Sequence, residues 1–131
     1  MIILDTHIWV LWNHNDPRLT NHDQDIINQQ RSQGLGICSI SLIEISRLVT
    51  KKRLILPCSI QEWFKIALEQ EGIQLLSITP KIAIDAYKLP GNFHKDPADR
   101  LIVATARIYD VSLLTIDNKI LAYPYVKTIE S

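Results

Sequence analysis

Two kinds of hydrophobic pattern alternate along this chain: short, almost unbroken apolar blocks, and longer stretches in which apolar residues recur every three or four positions. The first kind reads as strands covered on both faces, the second as amphipathic helices. "IILD" (2–5) is the first strand and ends on an acid; "THIWVLWN" (6–13), apolar at 8, 9, 11 and 12, is a helix. "DPRLTNHDQDIINQQRSQG" (16–34) reads as a turn and then a helix, with Thr20 and Asp23 as a capping box and Gly34 as the stop. "LGICSI" (35–40) is the second strand, and "SLIEISRLVTKKR" (41–53) a helix with Leu42, Ile45, Leu48 and Val49 on one face. Beyond Pro57, "SIQEWFKIALEQEG" (59–72) is a helix ending at Gly72, and "IQLLSI" (73–78) is the third strand. "PKIAIDAYKL" (80–89) is a helix with Pro80 at its first position, followed by the loop "PGNFHK" (90–95). In "DPADRLIVATARI" (96–108), Asp96 is placed to cap the helix, Pro97 to start it and Asp99 to face its dipole. "VSLLTID" (111–117) is the fourth strand, "NKILAY" (118–123) a helical turn and "YVKTI" (125–129) the fifth strand.

Strands alternating with helices predict an α/β fold, a three-layer α/β/α sandwich around a parallel sheet of about five strands joined by right-handed crossovers. The 131 residues suit a single domain, 1–131, that buries roughly two-thirds of its unfolded surface. Lys plus Arg and Asp plus Glu both number 14, which argues against a broadly basic nucleic-acid coat and leaves room for a basic patch beside an acidic pocket. Cys38 and Cys58 form no CxxC pair, so a zinc site is not expected and a reduced cytoplasmic setting is. No apolar run approaches ~18 residues, so no membrane span is expected. The opening "MIILD" lacks the basic start of a signal peptide.

The carboxylates change this picture from a fold to a chemistry. Asp5 ends the first strand, Asp117 follows the fourth, and Glu44 lies in the first turn of the helix after the second. Strands of a parallel sheet point one way, so these three share its carboxyl edge, where open α/β sheets bind ligands. Strand order alone does not place Asp99 there. Each acid also has a local explanation: Asp5-Thr6 as a helix cap, Ser41 to Glu44 as a capping box, Asp117-Asn118 as turn chemistry. If they converge, two charges about 4 Å apart repel by about 4 kcal/mol at an effective dielectric of 20. Such a cluster must hold protons or a cation. Oxygen ligands without His or Cys select a hard ion, Mg²⁺ or Mn²⁺, and phosphodiester hydrolysis is the chemistry that best uses it.

Four blocks carry these residues in order: "LDTHIWVLW" with Asp5 and the Thr6 hydroxyl, "SISLIEIS" with Glu44, "HKDPADRLIVATA" with Asp96 and Asp99, and "LLTIDNKI" with Thr115 and Asp117. Together they resemble the PIN domain, most closely the VapC-type ribonuclease toxins of bacterial and archaeal toxin–antitoxin pairs. The resemblance implies the same sandwich and brings the start of the Asp99 helix into the acidic pocket. It further implies a Mg²⁺/Mn²⁺-dependent endoribonuclease, cytoplasmic, with Asp5, Glu44, Asp99 and Asp117 holding the metal and Asp96 as an accessory. RNA as substrate, a cognate antitoxin as inhibitor and a homodimer belong to the same expectation. His94, Lys95 and Arg100 flank the acids as candidate phosphate contacts; Lys51, Lys52 and Arg53 end a helix, where cations favour the dipole, and are candidates for RNA contact. Trp9 and Trp12 are core or interface residues, and His7 is read as packing against, or supporting, the acids. The rivals are a non-catalytic PIN module that binds RNA or protein, and another phosphate-handling enzyme such as a receiver-like or haloacid-dehalogenase-like fold. The dehalogenase pattern wants a second Asp two residues after the first, where this chain has His7.

Overall fold

The computed structural model describes residues 1–130. Five parallel strands, β1 (Ile2–Leu4), β2 (Leu35–Cys38), β3 (Ile73–Leu76), β4 (Leu113–Thr115) and β5 (Thr128–Glu130), lie in the order β3-β2-β1-β4-β5. Each is shorter than its apolar block. The fifth also starts later than expected: Tyr125 to Lys127 belong to the approach, and pairing with β4 begins at Thr128 opposite Leu113.

The three central strands, β1, β2 and β4, are mostly apolar because alternate residues enter different cores. Ile2, Leu4, Leu35, Ile37 and Leu114 pack on one face with α1 (Thr6–Asn13), α2 (Asn21–Gln30), α3 (Ile40–Thr50) and α4 (Ile60–Glu69). Ile3, Cys38 and Leu113 pack on the other with α6 (Pro97–Tyr109) and α7 (Asn118–Leu121), while α5 (Pro80–Ala86) lies against α6. This is the α/β/α sandwich that the pattern predicts. The helix α2 carries the expected Thr20–Asp23 capping box and passes through a short 3₁₀ turn to Gly34. The helix α4 stops at Glu69, three residues before Gly72. Trp9 is core, fully buried and edge-on to Trp63, whereas Trp12 is half-buried beneath the Arg31 guanidinium. His7 is exposed rather than packed, and it lies close enough to Asp5 to oppose the rise in that acid's pKa. No described helix is long and apolar enough to cross a membrane.

The strand order sets the position of the site. From β1 the chain builds outward through β2 to β3, then returns to lay β4 on the other side of β1. Chain leaving β1 and chain leaving β4 therefore diverge to opposite faces, and a crevice opens at their carboxyl ends. The Asp5 N–H donates to Leu114 O at 3.0 Å, which pins Asp5 at the mouth of that crevice.

Candidate metal centre

Helices α1, α3, α6 and α7 begin around this crevice, and three of them are capped by acids that stand there. Asp5 is the N-cap of α1: its Oδ1 accepts the Thr6 N–H at 2.8 Å and its Oδ2 accepts the Thr115 hydroxyl at 2.6 Å. The side chain is buried, and burial pushes its pKa up, with nearby Asp117 adding to the rise. Asp117 caps α7, accepting the Lys119 N–H on Oδ1 at 2.8 Å. Its own N–H donates to Thr115 Oγ1 at 3.0 Å, so one hydroxyl serves both acids. Asp96 caps α6 by accepting the Asp99 N–H at 3.0 Å.

Asp99 reaches the same place because α6 runs antiparallel to the strands. Its far end, closed by Asp110 in the left-handed conformation, feeds directly into β4. A helix of 13 residues spans about 20 Å, so its start must lie at the opposite, carboxyl edge. Burial first, and then the charges of Asp5, Asp96, Asp117 and Glu44, together raise the Asp99 pKa to about 7. The residues expected to gather are thus within electrical reach of one another.

Glu44 arrives by a different route from the expected one. The chain turns from β2 into α3 without a loop: Ser39 is already helical at φ −58° and ψ −21° and makes no side-chain cap. Glu44 therefore lies in the second turn, out of reach of the free N–H groups, and the Ser41–Glu44 capping box does not form. Ser41 instead shares a 2.7 Å hydroxyl–hydroxyl bond with Thr6, tying the start of α3 to the start of α1. Glu44 Oε2 takes both Nε and Nη2 of Arg47, each at 3.1 Å. Sequence reading gives Ser41 a cap's role and misses Arg47, although an acid followed three residues later by Arg on a helix is a recognisable pairing signal. Beside them a hollow of about 370 Å³ is lined by Ile40, Ile43, Glu44, Arg47, Asp96, Pro97 and Ala98.

The flanking cations divide. His94 Nε2 is buried 3.0 Å from Asp99 Oδ2 but off the line of a hydrogen bond, a close polar contact that leaves the nitrogen without an aligned partner. Lys95 is exposed at the rim. Arg100 is not free to meet a phosphate: its guanidinium turns away and donates to the carbonyls of Ala86, Phe93 and His94 at 2.7, 3.1 and 3.0 Å.

The donor set fits a hard divalent cation. Its acids offer oxygen only, and burial, with their mutual repulsion added, holds a proton on Asp99 near neutrality. Among the described residues no three His, Cys, Asp or Glu side chains close into a ready cage. Magnesium in particular is commonly taken by one or two carboxylates, with water completing its shell.

A family model described as the PIN domain matches residues 2–124. Ribonuclease VapC22 of Mycobacterium tuberculosis (strain ATCC 25618 / H37Rv) is 29% identical over 128 residues, covering 98% of this chain and 95% of that protein. The fold is similar to those of VapBC2 from Rickettsia felis, bound to a DNA fragment from its promoter, and of FitAcB from Neisseria gonorrhoeae. The first has a TM-score of 0.72 at 20% identity, covering 99% of this chain and 98% of that one. For the second the TM-score is 0.71 at 18% identity, covering 99% and 97%.

The raised Asp99 pKa makes stability depend on pH. Below about pH 4 the group is protonated in folded and unfolded chains alike. Between the ordinary carboxylate range and about 7 the unfolded chain releases this proton while the folded one keeps it, so stability falls as pH rises. In chelator, Asp99→Asn should match wild type near pH 4 and exceed it by a few kcal/mol above pH 7, since each tenfold change in proton affinity is worth about 1.4 kcal/mol. Urea unfolding at several pH values measures this, and curves that stay parallel would show that Asp99 does not carry the strain.

Proposed function

Because the chain belongs to the PIN domain family, we propose that it is a metal-dependent endoribonuclease, the toxin of a type II toxin–antitoxin pair. The observation that carries this reading is Asp99, whose proton is held to about pH 7 by burial and by four other acids at the point where β1 and β4 part. Asp5, Glu44, Asp99 and Asp117 would hold Mg²⁺ or Mn²⁺, with Asp96 at the margin. When bound, such an ion polarises a phosphoryl oxygen and lowers the pKa of a water. The chain's own part is to keep the acids in place. Thr115 orients Asp5 from one side while holding the backbone of Asp117 from the other. The Thr6–Ser41 bond fixes the helix carrying Glu44 against the one that Asp5 caps. Exposed Lys95 is available to an RNA phosphate beside the cleft.

The partner reading draws on the relatives. Resemblance to a ribonuclease and to VapBC and FitAcB structures supports RNA as substrate and a cognate antitoxin as inhibitor. An antitoxin segment presenting a cation to the acids would relieve the same repulsion as a metal ion. We place the protein in the cytoplasm, as a homodimer.

Purified protein should cut structured RNA in Mg²⁺ or Mn²⁺ and stop in EDTA. Glu44→Gln separates structure from chemistry. It makes no cap and pairs only with exposed Arg47, so in chelator its stability should lie within about 1 kcal/mol of wild type. Cation-induced stabilisation and cleavage should both fall, cleavage by about tenfold or more, since the amide has lost the charge that a hard ion requires. Full cleavage by Glu44→Gln would remove Glu44 from the site; cleavage that persists in EDTA would remove the metal.

In cells, the toxin reading predicts that expression of this chain alone arrests growth and that co-expression with the adjacent small gene restores it. Growth unaffected by a protein that cleaves RNA in vitro would leave a nuclease that is not a toxin.

A further inference from the structure

The connection from Tyr87 to Asp96 has neither helix nor strand, yet it carries His94, whose ring reaches Asp99 from outside the acid set. Arg100 holds it. The guanidinium gathers Ala86 O at the end of α5 together with Phe93 O and His94 O in the connection, and its Cζ lies 5.7 Å from the centre of the Tyr87 ring. A second anchor comes from the segment after α7, where the Tyr123 hydroxyl donates to Pro90 O and its ring lies 4.8 Å from Phe93. Phe93 in turn lies 4.5 Å from the His94 ring. These contacts leave His94 little freedom, and its Nε2 ends 3.0 Å from Asp99 Oδ2. Among the described residues no protein donor reaches Asp99 Oδ1.

We infer that Arg100 is a positioning residue for the acid cluster: by fixing three carbonyls at once it seats His94 against one oxygen of Asp99 and keeps the other turned to the cleft. The helix start offers an alternative. An acid in the first turn can swing toward the free N–H groups of its own helix, and the His94 ring, packed beside Oδ2, stands in the way of that rotation. A planar fork serves carbonyls on two sides from separate nitrogens, Nε for Ala86 and Nη1 for Phe93 and His94, whereas the three donors of a lysine all leave one nitrogen. The inference rests on the nuclease reading for its kinetic consequence, but not for its structural one.

The test is a double-mutant cycle on Arg100→Lys and His94→Ala, with Tyr123→Phe as a milder release of the same connection. Each single variant should lower kcat by about tenfold, the scale expected when a reacting group is displaced by a fraction of an ångström to an ångström. KM for RNA should change by less than about twofold, since binding is spread over the surface. Because Arg100 acts through His94, the double variant should be no slower than the slower single one. Independently of activity, trypsin should cut native Arg100→Lys after Lys88 or Lys95 faster than wild type, at a temperature where both are folded. Multiplying kcat losses, or an Arg100→Lys kcat within twofold of wild type, would overturn the inference. So would a connection no more open to trypsin. Should Arg100→Lys fail to fold, Tyr123→Phe paired with His94→Ala decides by the same criteria. Wild type that cuts no RNA would remove the nuclease reading alone, and trypsin would still judge the role of Arg100.

Discussion

A carboxylate buried at the end of a strand is costly unless donors meet both of its oxygens, and Asp5 has both met. The Thr6 N–H and the Thr115 hydroxyl hold it in the crevice between β1 and β4. Around that fixed side chain the rest of the edge is organised. Thr115 can donate to Asp5 because β4 lies beside β1 in register, Leu4 opposite Leu114. The same hydroxyl then receives the backbone of Asp117, which begins α7. Remove the parallel pairing of β1 with β4 and neither acid would be held where it stands.

The arrangement sets stability against chemistry. Burial of Asp5 and Asp99 raises both pKa values, so near neutrality the fold carries charge it would be more stable without. Two apolar cores, one on each face of the sheet, offset that strain. Strain of this kind gives a bound cation its leverage: each carboxylate that repels its neighbours attracts the ion, and binding stabilises only the folded chain. The Arg100 network belongs to the same logic. An irregular connection beside a strained site moves readily, and three carbonyls drawn to one guanidinium oppose that motion.

Much of this is legible in the chain itself. The strand blocks stand out because both faces of the sheet are covered, so Ile2, Ile3 and Leu4 are all apolar although they serve different cores. Asp5 and Asp117 can be placed from strand polarity alone. Asp99 is not placed by strand polarity: the resemblance brings it to the pocket, and the structure gives the reason, because α6 runs back along the sheet before feeding into β4. Other features are hidden for physical reasons. Ser41 and Glu44 have the spacing of a capping box, yet the helix begins before them because β2 passes into α3 without a loop. Arg100 sits among acids and reads as a phosphate ligand, but carbonyls distant in sequence claim it first. Local pattern cannot show such long-range competition.

The state of the acid cluster can be read from the protons released when a cation binds. If a buried acid near Asp5 and Asp117 holds its proton to about pH 7, Mg²⁺ or Mn²⁺ must displace that proton in order to bind. Titration calorimetry in buffers of different ionisation enthalpy measures the release. Close to one proton per chain should leave at pH 6, falling toward zero above about pH 8, with most of the pH 6 release lost in Asp99→Asn. Cation binding that releases no proton at pH 6, or that releases the same number from Asp99→Asn, would mean that Asp99 is not the strained member of a metal site.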